Sequence, residues 1–330
     1  MNKQVILKVS DLAKHFVVGR SIVSSGEVVK AVDGIGFELM EGETLSLVGE
    51  SGCGKSTTGR LVLRLIEPTA GAVVYRGRDI SRLSSGELRR ARREMQIIFQ
   101  DPWSSLNPRM TVHQIIGEGL RSQPGLTRAE RKKRVLQMME TVGLRPEHYD
   151  RHPHEFSGGQ RQRLGIARAL IMGPKLVVAD EPLSALDVSV QAQVVNLLAR
   201  LKRDMGLSYL FISHDLAVVE HISDRIAVMY LGKLMELASK ERLFAAPLHP
   251  YTQALFSAAP LPEVGGPRKR IILTGDVPSP LNPPPGCRFN SRCPQAQADC
   301  RRQEPEFREL EPGHWVACHH PLSREEQSSN

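Results

Sequence analysis

The residues of this chain whose types and spacing could do chemistry fall along it in one order. GESGCGKS opens at Gly49, Gln100 follows an apolar run, FSGGQ opens at Phe156, LVVADEP runs from Leu176, and His214 follows a second apolar run. In the first motif, Gly49 and Gly54 let the backbone turn tightly enough for successive N–H groups to converge on an anion at a helix start. Lys55 adds a point charge for terminal phosphates, and Ser56 offers a hydroxyl to a magnesium ion. The flanks agree: TLSLV from Thr44 reads as a buried strand, and residues 56–66 read as an amphipathic helix ending ahead of Pro68.

Residues 176–179 form an apolar run that ends in Asp180 and Glu181. A central strand delivers carboxylates in this way to its C-terminal edge, where ligands collect in open α/β sheets. Asp180 is expected to orient the magnesium, directly or through water, and Glu181 to polarise the attacking water. In FSGGQ, Ser157 can cap the following helix and Gln160 completes a capping box, while Gly158 and Gly159 let backbone amides approach an anion closely. Leu164, Ala167 and Ile171 then share one face, and Gly173 with Pro174 stops the helix. A helix start equipped like this is a second phosphate site. It cannot easily reach the phosphate loop of its own chain, so it is expected to serve a partner's nucleotide.

These residues need elements to hold them. Residues 5–47 alternate like a small antiparallel sheet, the phosphate loop opens a strand and helix core, and residues 101–155 carry several helix-like segments. The core resumes with LVVAD, SYLFIS from Ser208 and RIAVMY from Arg225, with helices over 188–205 and 216–221 on its faces. The alternation predicts an α/β fold with a mostly parallel sheet and an inserted helical subdomain.

A chain of 330 residues with 41% hydrophobic content can build a full core, as one large domain plus something smaller. No apolar stretch approaches the roughly 18 residues of a membrane helix, and MNKQVILKVSD has no secretory h-region or cleavage site. The chain is therefore expected in the cytoplasm. The formal charge of +8 raises nucleic-acid binding, especially at LRRARRE from Leu88 and RKKR from Arg131. Both runs lie in predicted helices with solvated faces and lack interleaved aromatics for stacking. Attraction to anionic lipid head groups accounts for the charge equally well.

Together the motifs resemble those of the nucleotide-binding subunit of an ABC transporter, over residues 1 to about 245. GESGCGKS matches the Walker A motif, which makes Gly49, Glu50, Ser51, Gly52, Cys53, Gly54, Lys55, Ser56 and Thr57 the candidate ATP-binding residues. LVVADE matches Walker B with its catalytic glutamate, FSGGQ the signature, SALD from Ser184 the D-loop with Asp187, Gln100 the Q-loop and His214 the switch histidine. The resemblance implies a P-loop NTPase (RecA-like) core, a small antiparallel β subdomain and a helical signature subdomain at about 101–164. It makes Glu181, His214, Lys55 and Gln100 catalytic, and Ser56, Gln100 and Asp180 the Mg2+ set. Gln100 would sense the γ-phosphate at the hinge of the insert, and DPWSSLNPRM from Asp101 would line the groove where a membrane subunit docks. For Trp103, packing between subdomains is an equal alternative. The aromatic that stacks on adenine maps to Phe16, although residues 19–30 set it unusually far from Lys55; an ordinary strand aromatic is the alternative. Phe156 stands where the family usually has leucine, which leaves the amides of Ser157 to Gln160 untouched.

After residue 245 the character changes. Five prolines fall between Asp276 and Gly286, and cysteines stand at 287, 293, 300 and 318. Such a segment buries little by itself and needs a staple. In a reducing cytoplasm disulfides are disfavoured and clustered thiols point to metal. The C-x5-C-x6-C-x17-C spacing lacks a close C-x2-C pair, which counts against zinc without excluding it, and it misses the familiar ferredoxin spacings. HPYTQALFSAAP, SPLNPPPGCRFNSRCP and VACH resemble the C-terminal extension of dipeptide/oligopeptide permease ATPases. That resemblance implies a [4Fe-4S] cluster on Cys287, Cys293, Cys300 and Cys318, with Zn2+ or reduced thiols as alternatives; Cys53, inside the phosphate loop, is not expected to be a ligand.

The implied machine is an ATPase at the cytoplasmic face of the inner membrane that powers peptide import. Its partners are a second, distinct ATP-binding subunit, two permease subunits and, indirectly, a peptide-binding protein outside the membrane. Each ATP would lie between the Walker A loop of one subunit and the signature of the other. A non-transport ABC ATPase acting on nucleic acid or ribosomes is the alternative, but such proteins usually carry a second cassette or a long coiled coil, and this chain has neither.

Overall fold

The structure, a computed structural model, describes residues 4–19, 26–123, 125–258 and 271–323. Residues 20–25, the middle of the segment expected to displace Phe16, lie outside the described residues, as do 259–270 and 324–330 of the extension. The chain divides into two compact units, one mainly of Leu83–Ile212, the other of Val5–Leu39, Glu43–Arg82 and Ser213–Asn330.

The unit that carries the phosphate loop contains an antiparallel sheet ordered Glu27–Met40, Val5–Val18, Ala70–Tyr75, Arg78–Asp79, with Leu7 opposite Tyr75. The expected sheet over 5–47 is corrected at its C-terminal side. Ala70–Tyr75 and Arg78–Asp79 join it, whereas Thr44–Val48 leaves it to pair in parallel with Arg225–Tyr230, Leu45 opposite Arg225. The reason is burial: all five residues of Thr44–Val48 are covered, the pattern of a strand enclosed on both faces.

Arg225–Tyr230 pairs antiparallel with Lys233–Ser239. Beyond it lie His314–Val316 and Arg308–Glu311, strands supplied by the C-terminal extension. The extension also enters the core, where Cys287, Phe289 and Cys300 pack with Val48, Tyr230, Tyr251 and Phe256. A segment expected to bury little thus buries itself against the strands that position the phosphate loop. Its anchor is Glu236, fully buried, whose carboxylate accepts from Leu248 N–H (2.6 Å), His249 N–H (3.0 Å) and His314 Nε2 (2.7 Å). One buried acid ties three points of the extension to one strand, satisfying a charge that would otherwise be costly.

In the other unit Met95–Ile98, Leu176–Asp180 and Ser208–Ile212 pair side by side in parallel. Helices Val112–Gly117, Arg128–Thr141, Gly158–Leu170 and Val188–Met205 accompany them. Arg128–Thr141 begins on a capping box, Thr127 with Glu130. Val188–Met205 is capped by Asp187, buries Val194, Val195, Leu198 and Leu201 at helical spacing, and ends at Gly206 in the left-handed region.

Candidate nucleotide site

The phosphate loop follows strand Thr44–Val48 and opens helix Lys55–Val62. The helix is shorter than the 56–66 expected. Arg64 turns left-handed at φ 49°, and bonds from Arg64 N–H to Leu61 O (2.8 Å) and Leu65 N–H to Arg60 O (2.8 Å) close it early. Two glycines are required by contact. A Cβ on Gly49 would lie 2.0 Å from Met229 O, and one on Gly54 2.2 Å from Ala31 O, both backbone atoms. Only a residue without a Cβ can pass so close to those carbonyls. Lys55 is buried, its Nζ donating to Gly49 O (2.9 Å) and Glu50 O (3.0 Å). Ser51 and Gly52 are exposed, and Ser56 and Thr57 half-buried. Cys53 is buried with its Sγ 3.8 Å from Lys55 Nζ; burial pushes its thiol up, against any thiolate role at neutral pH.

Strand Leu176–Asp180 ends with Asp180 buried. Glu181 then takes the left-handed region at φ 45°, a strained place for a non-glycine residue. Its N–H donates to Ile212 O (3.0 Å) and its carbonyl accepts from Ser184 Oγ (3.1 Å). The side chain so aimed accepts from Gln100 Nε2 at 2.9 Å, so the Q-loop amide and the candidate catalytic carboxylate already touch. In the signature, Ser157 Oγ accepts from Gln160 N–H (3.3 Å) and Gln160 Oε1 from Ser157 N–H (3.0 Å), the capping box expected. Ser157 and Gly158 are exposed. A Cβ on Gly159 would lie 2.5 Å from Val190 Cγ1, so this glycine lets the signature helix approach the next one. Phe156 is buried edge-on against His148. Asp187 accepts from Val190 N–H (2.9 Å) and Ser189 Oγ (2.8 Å); these bonds, Val190's first, hold its carboxyl below the usual range.

His214 stands exposed one residue ahead of Asp215, the N-cap of helix Leu216–Ile222. Phe16 is 38% exposed near the end of strand Val5–Val18, with Lys14 Nζ 5.1 Å above its ring. Trp103 is exposed, and its ring carries the Arg161 guanidinium at 3.5 Å, joining the segment after the Q-loop to the signature helix.

Cys287, Cys293, Cys300 and Cys318 line one cavity, all four free thiols. Burial first, then neighbouring thiols, pushes Cys287 up to about 11 and Cys318 up to about 12. Among the described residues, the group of three or more His, Cys, Asp and Glu ligand atoms that draw within 4.8 Å of one another is Asp299, Cys300 and His320, which includes one of the four cysteines.

Several contributing residues carry no sequence motif. Arg288 and Arg292 stand beside Cys287 and Cys293, yet they pair with Asp33 and with Glu50 of the phosphate loop. The separation of more than 240 residues between Glu50 and Arg292 hides that pairing from any local pattern.

A phosphate loop accompanied by a capped SGGQ helix start distinguishes the ATP-binding cassettes from other P-loop ATPases. The chain matches the ABC transporter family over residues 32–184 and the oligopeptide/dipeptide transporter C-terminal region over residues 235–300. It is 54% identical to the oligopeptide transport ATP-binding protein AppF of Bacillus subtilis (strain 168), over 96% of this chain and 98% of that one. Its fold is similar to a dimeric, post-hydrolysis form of the ATP-binding cassette MJ0796 bound to ADP and Pi (28% identity, TM-score 0.63, covering 71% of this chain and 98% of that one). It is also similar to cbiO1 of Clostridium perfringens, part of the ABC transporter complex cbiONQ (27% identity, TM-score 0.64, 74% and 92%). The chain belongs to the ATP-binding subunits of the ABC transporter family and is an ATPase.

Proposed function

We propose that this chain is the ATPase subunit that powers import of oligopeptides or dipeptides through a separate permease. The observation that carries the reading is the 54% identity to AppF, which runs through the C-terminal extension as well as the cassette. The alternative of an ATPase acting on nucleic acid or ribosomes falls away on that match. No helix among the described residues is long and apolar enough to cross a membrane, which fits a peripheral subunit at the cytoplasmic face. Deleting the gene should abolish uptake of labelled peptides and restoring it should recover uptake; uptake that persists in the deletion overturns the reading.

Residues 1–245 act as the nucleotide-binding domain, with a helical subdomain at about 101–164, and 246–330 as the extension. Two cassettes face head to tail. The Walker A amides and Lys55 of one hold the phosphates of ATP, Phe16 its adenine, and Ser157, Gly158, Gly159 and Gln160 of the other close over the γ-phosphate. ATP thereby favours the closed pair, since only that state offers both sets of donors. Glu181 aligns the water, His214 contacts it and the γ-phosphate, Gln100 reports their state to the helical insert, and Asp187 couples the two sites. Ser56, Gln100 and Asp180 would hold Mg2+, which neutralises charge on the phosphates when bound. The partner is a distinct ATPase of the same kind, with two permease subunits and an external peptide-binding protein.

The four cysteines would hold a [4Fe-4S] cluster, which when bound crosslinks turns that are distant in sequence. What supports a metal group here is that all four thiols line one cavity. Protein prepared without oxygen should be brown and contain iron; a colourless, zinc-rich preparation overturns the assignment.

A further inference from the structure

The phosphate loop is gripped from outside the cassette motifs, at one residue. Glu50 N–H donates to Tyr251 Oη (3.0 Å), its carbonyl accepts from Lys55 Nζ (3.0 Å), and both its carboxylate oxygens accept from Arg292 Nη1 (3.0 and 2.8 Å). The second residue of GESGCGKS is thus fixed at N–H, C=O and side chain together. Arg292 is one residue from Cys293, its side chain 9% exposed, and its Nη1 also reaches Tyr230 Oη at 3.3 Å. Tyr230, Tyr251 and Phe289 pack ring against ring at 4.7 to 5.5 Å beside this contact, in which the Glu50 side chain stays 26% exposed. The turn bearing Arg292 is held at its other end too. Arg288, 6% exposed and one residue from Cys287, pairs with Asp33, which also accepts from His15 Nε2 at 2.8 Å.

A buried arginine is a poor device for stability alone. Arg292 Nε lies buried with no hydrogen-bond partner among the described residues, and desolvating a guanidinium offsets much of what its ion pair contributes. What the pair does provide is a fixed geometry: the carboxylate it holds belongs to the loop whose amides must converge on a triphosphate within a few tenths of an ångström.

We propose that Arg292 is a positioning residue for nucleotide binding, the point at which the cysteine turn of the extension sets the shape of the phosphate loop through Glu50. The inference rests on the reading of this loop as the ATP site. Its consequence is that nucleotide affinity depends on a residue of the extension that touches no nucleotide.

The test is equilibrium titration of the full-length subunit with a fluorescent ATP analogue and Mg2+, in a Glu181→Gln background so that turnover does not intervene. Arg292→Met and Glu50→Gln should each weaken binding about tenfold, and the double variant should be no weaker than the worse single one, the signature of one shared contact. With Glu181 intact, Arg292→Met should raise KM for ATP by a similar factor while kcat changes less than twofold, a split that general destabilisation of the cassette does not produce. Unchanged affinity in Glu50→Gln, which leaves the extension's own residues intact even where Arg292→Met does not fold, overturns the proposal. Losses that multiply in the double variant overturn it as well. Lys55→Ala in the same titration separates the two readings: binding undiminished there removes the loop as the nucleotide site, whatever Arg292 does.

Discussion

At the scale of single residues, the contact between Gln100 Nε2 and Glu181 Oε2 at 2.9 Å is the most informative. It joins a residue at the end of one strand to one held in a strained backbone at the end of the next, and strain kept at such a point is a mark of function. Glu181→Gln keeps the size and a hydrogen-bonding end but removes the negative charge that, in the proposed role, polarises water. Phosphate release should fall at least about a hundredfold, as expected for loss of a general base, while ATP binding persists; phosphate release at the wild-type rate removes Glu181 from that role. Residues of this kind were legible in the sequence, because Gly49, Lys55, Glu181 and Ser157 are bound to their chemistry by local spacing. Glu50 was legible only as a member of the loop. The use of its side chain depends on Arg292, which no local pattern associates with it.

At the scale of elements, the extension departs most from expectation. Its strands Arg308–Glu311 and His314–Val316 are only four and three residues long, the first made largely of charged residues, too short for a period of two to betray them. They form because Lys233–Ser239 offers His314–Val316 a pairing edge and Glu236 gives His314 a buried acceptor, and Arg308–Glu311 then pairs with His314–Val316. Glu236→Ala strands three donors and should cost about 3 kcal/mol or more, read as a lowered urea midpoint. His249 supplies a second test. Burial pushes its imidazole down to about 3, so the folded state holds it neutral, while the unfolded chain takes up a proton below about 6.5. Between those values the unfolded state binds more protons, so stability is lost as pH falls below about 6.5, by about 1.4 kcal/mol per pH unit from this group. Nδ1 of His249 caps helix Pro250–Ser257 through Tyr251 N–H at 3.0 Å. Asparagine preserves such a cap, so wild type should lose stability relative to His249→Asn by that slope between pH 6.5 and 5. Parallel pH profiles of the two proteins would show that the imidazole is not held neutral.

At the scale of the whole molecule, the catalytic arrangement is legible only in halves. The sequence places a phosphate loop and a signature in one chain, and the signature's Ser157 and Gly158 are exposed to whatever approaches them. Under the proposed head-to-tail arrangement those amides serve a neighbour's triphosphate, and the substitution that tests it must spoil the signature while leaving the chain's own loop alone. Ser157→Arg does this. It removes the capping box, whose Oγ and Gln160 amide meet at 3.3 Å, and puts a bulky side chain where the partner's γ-phosphate would lie. The isolated subunit should bind ATP with an affinity within about twofold of wild type, because its own Walker A loop is intact. Assembled with its partner ATPase and permease, it should lose ATP-driven closure and at least about tenfold in hydrolysis, since one of two coupled sites has lost the donors that make closure favourable. Full activity of the assembled Ser157→Arg complex would mean that each cassette completes its own site, and the head-to-tail arrangement would have to be abandoned.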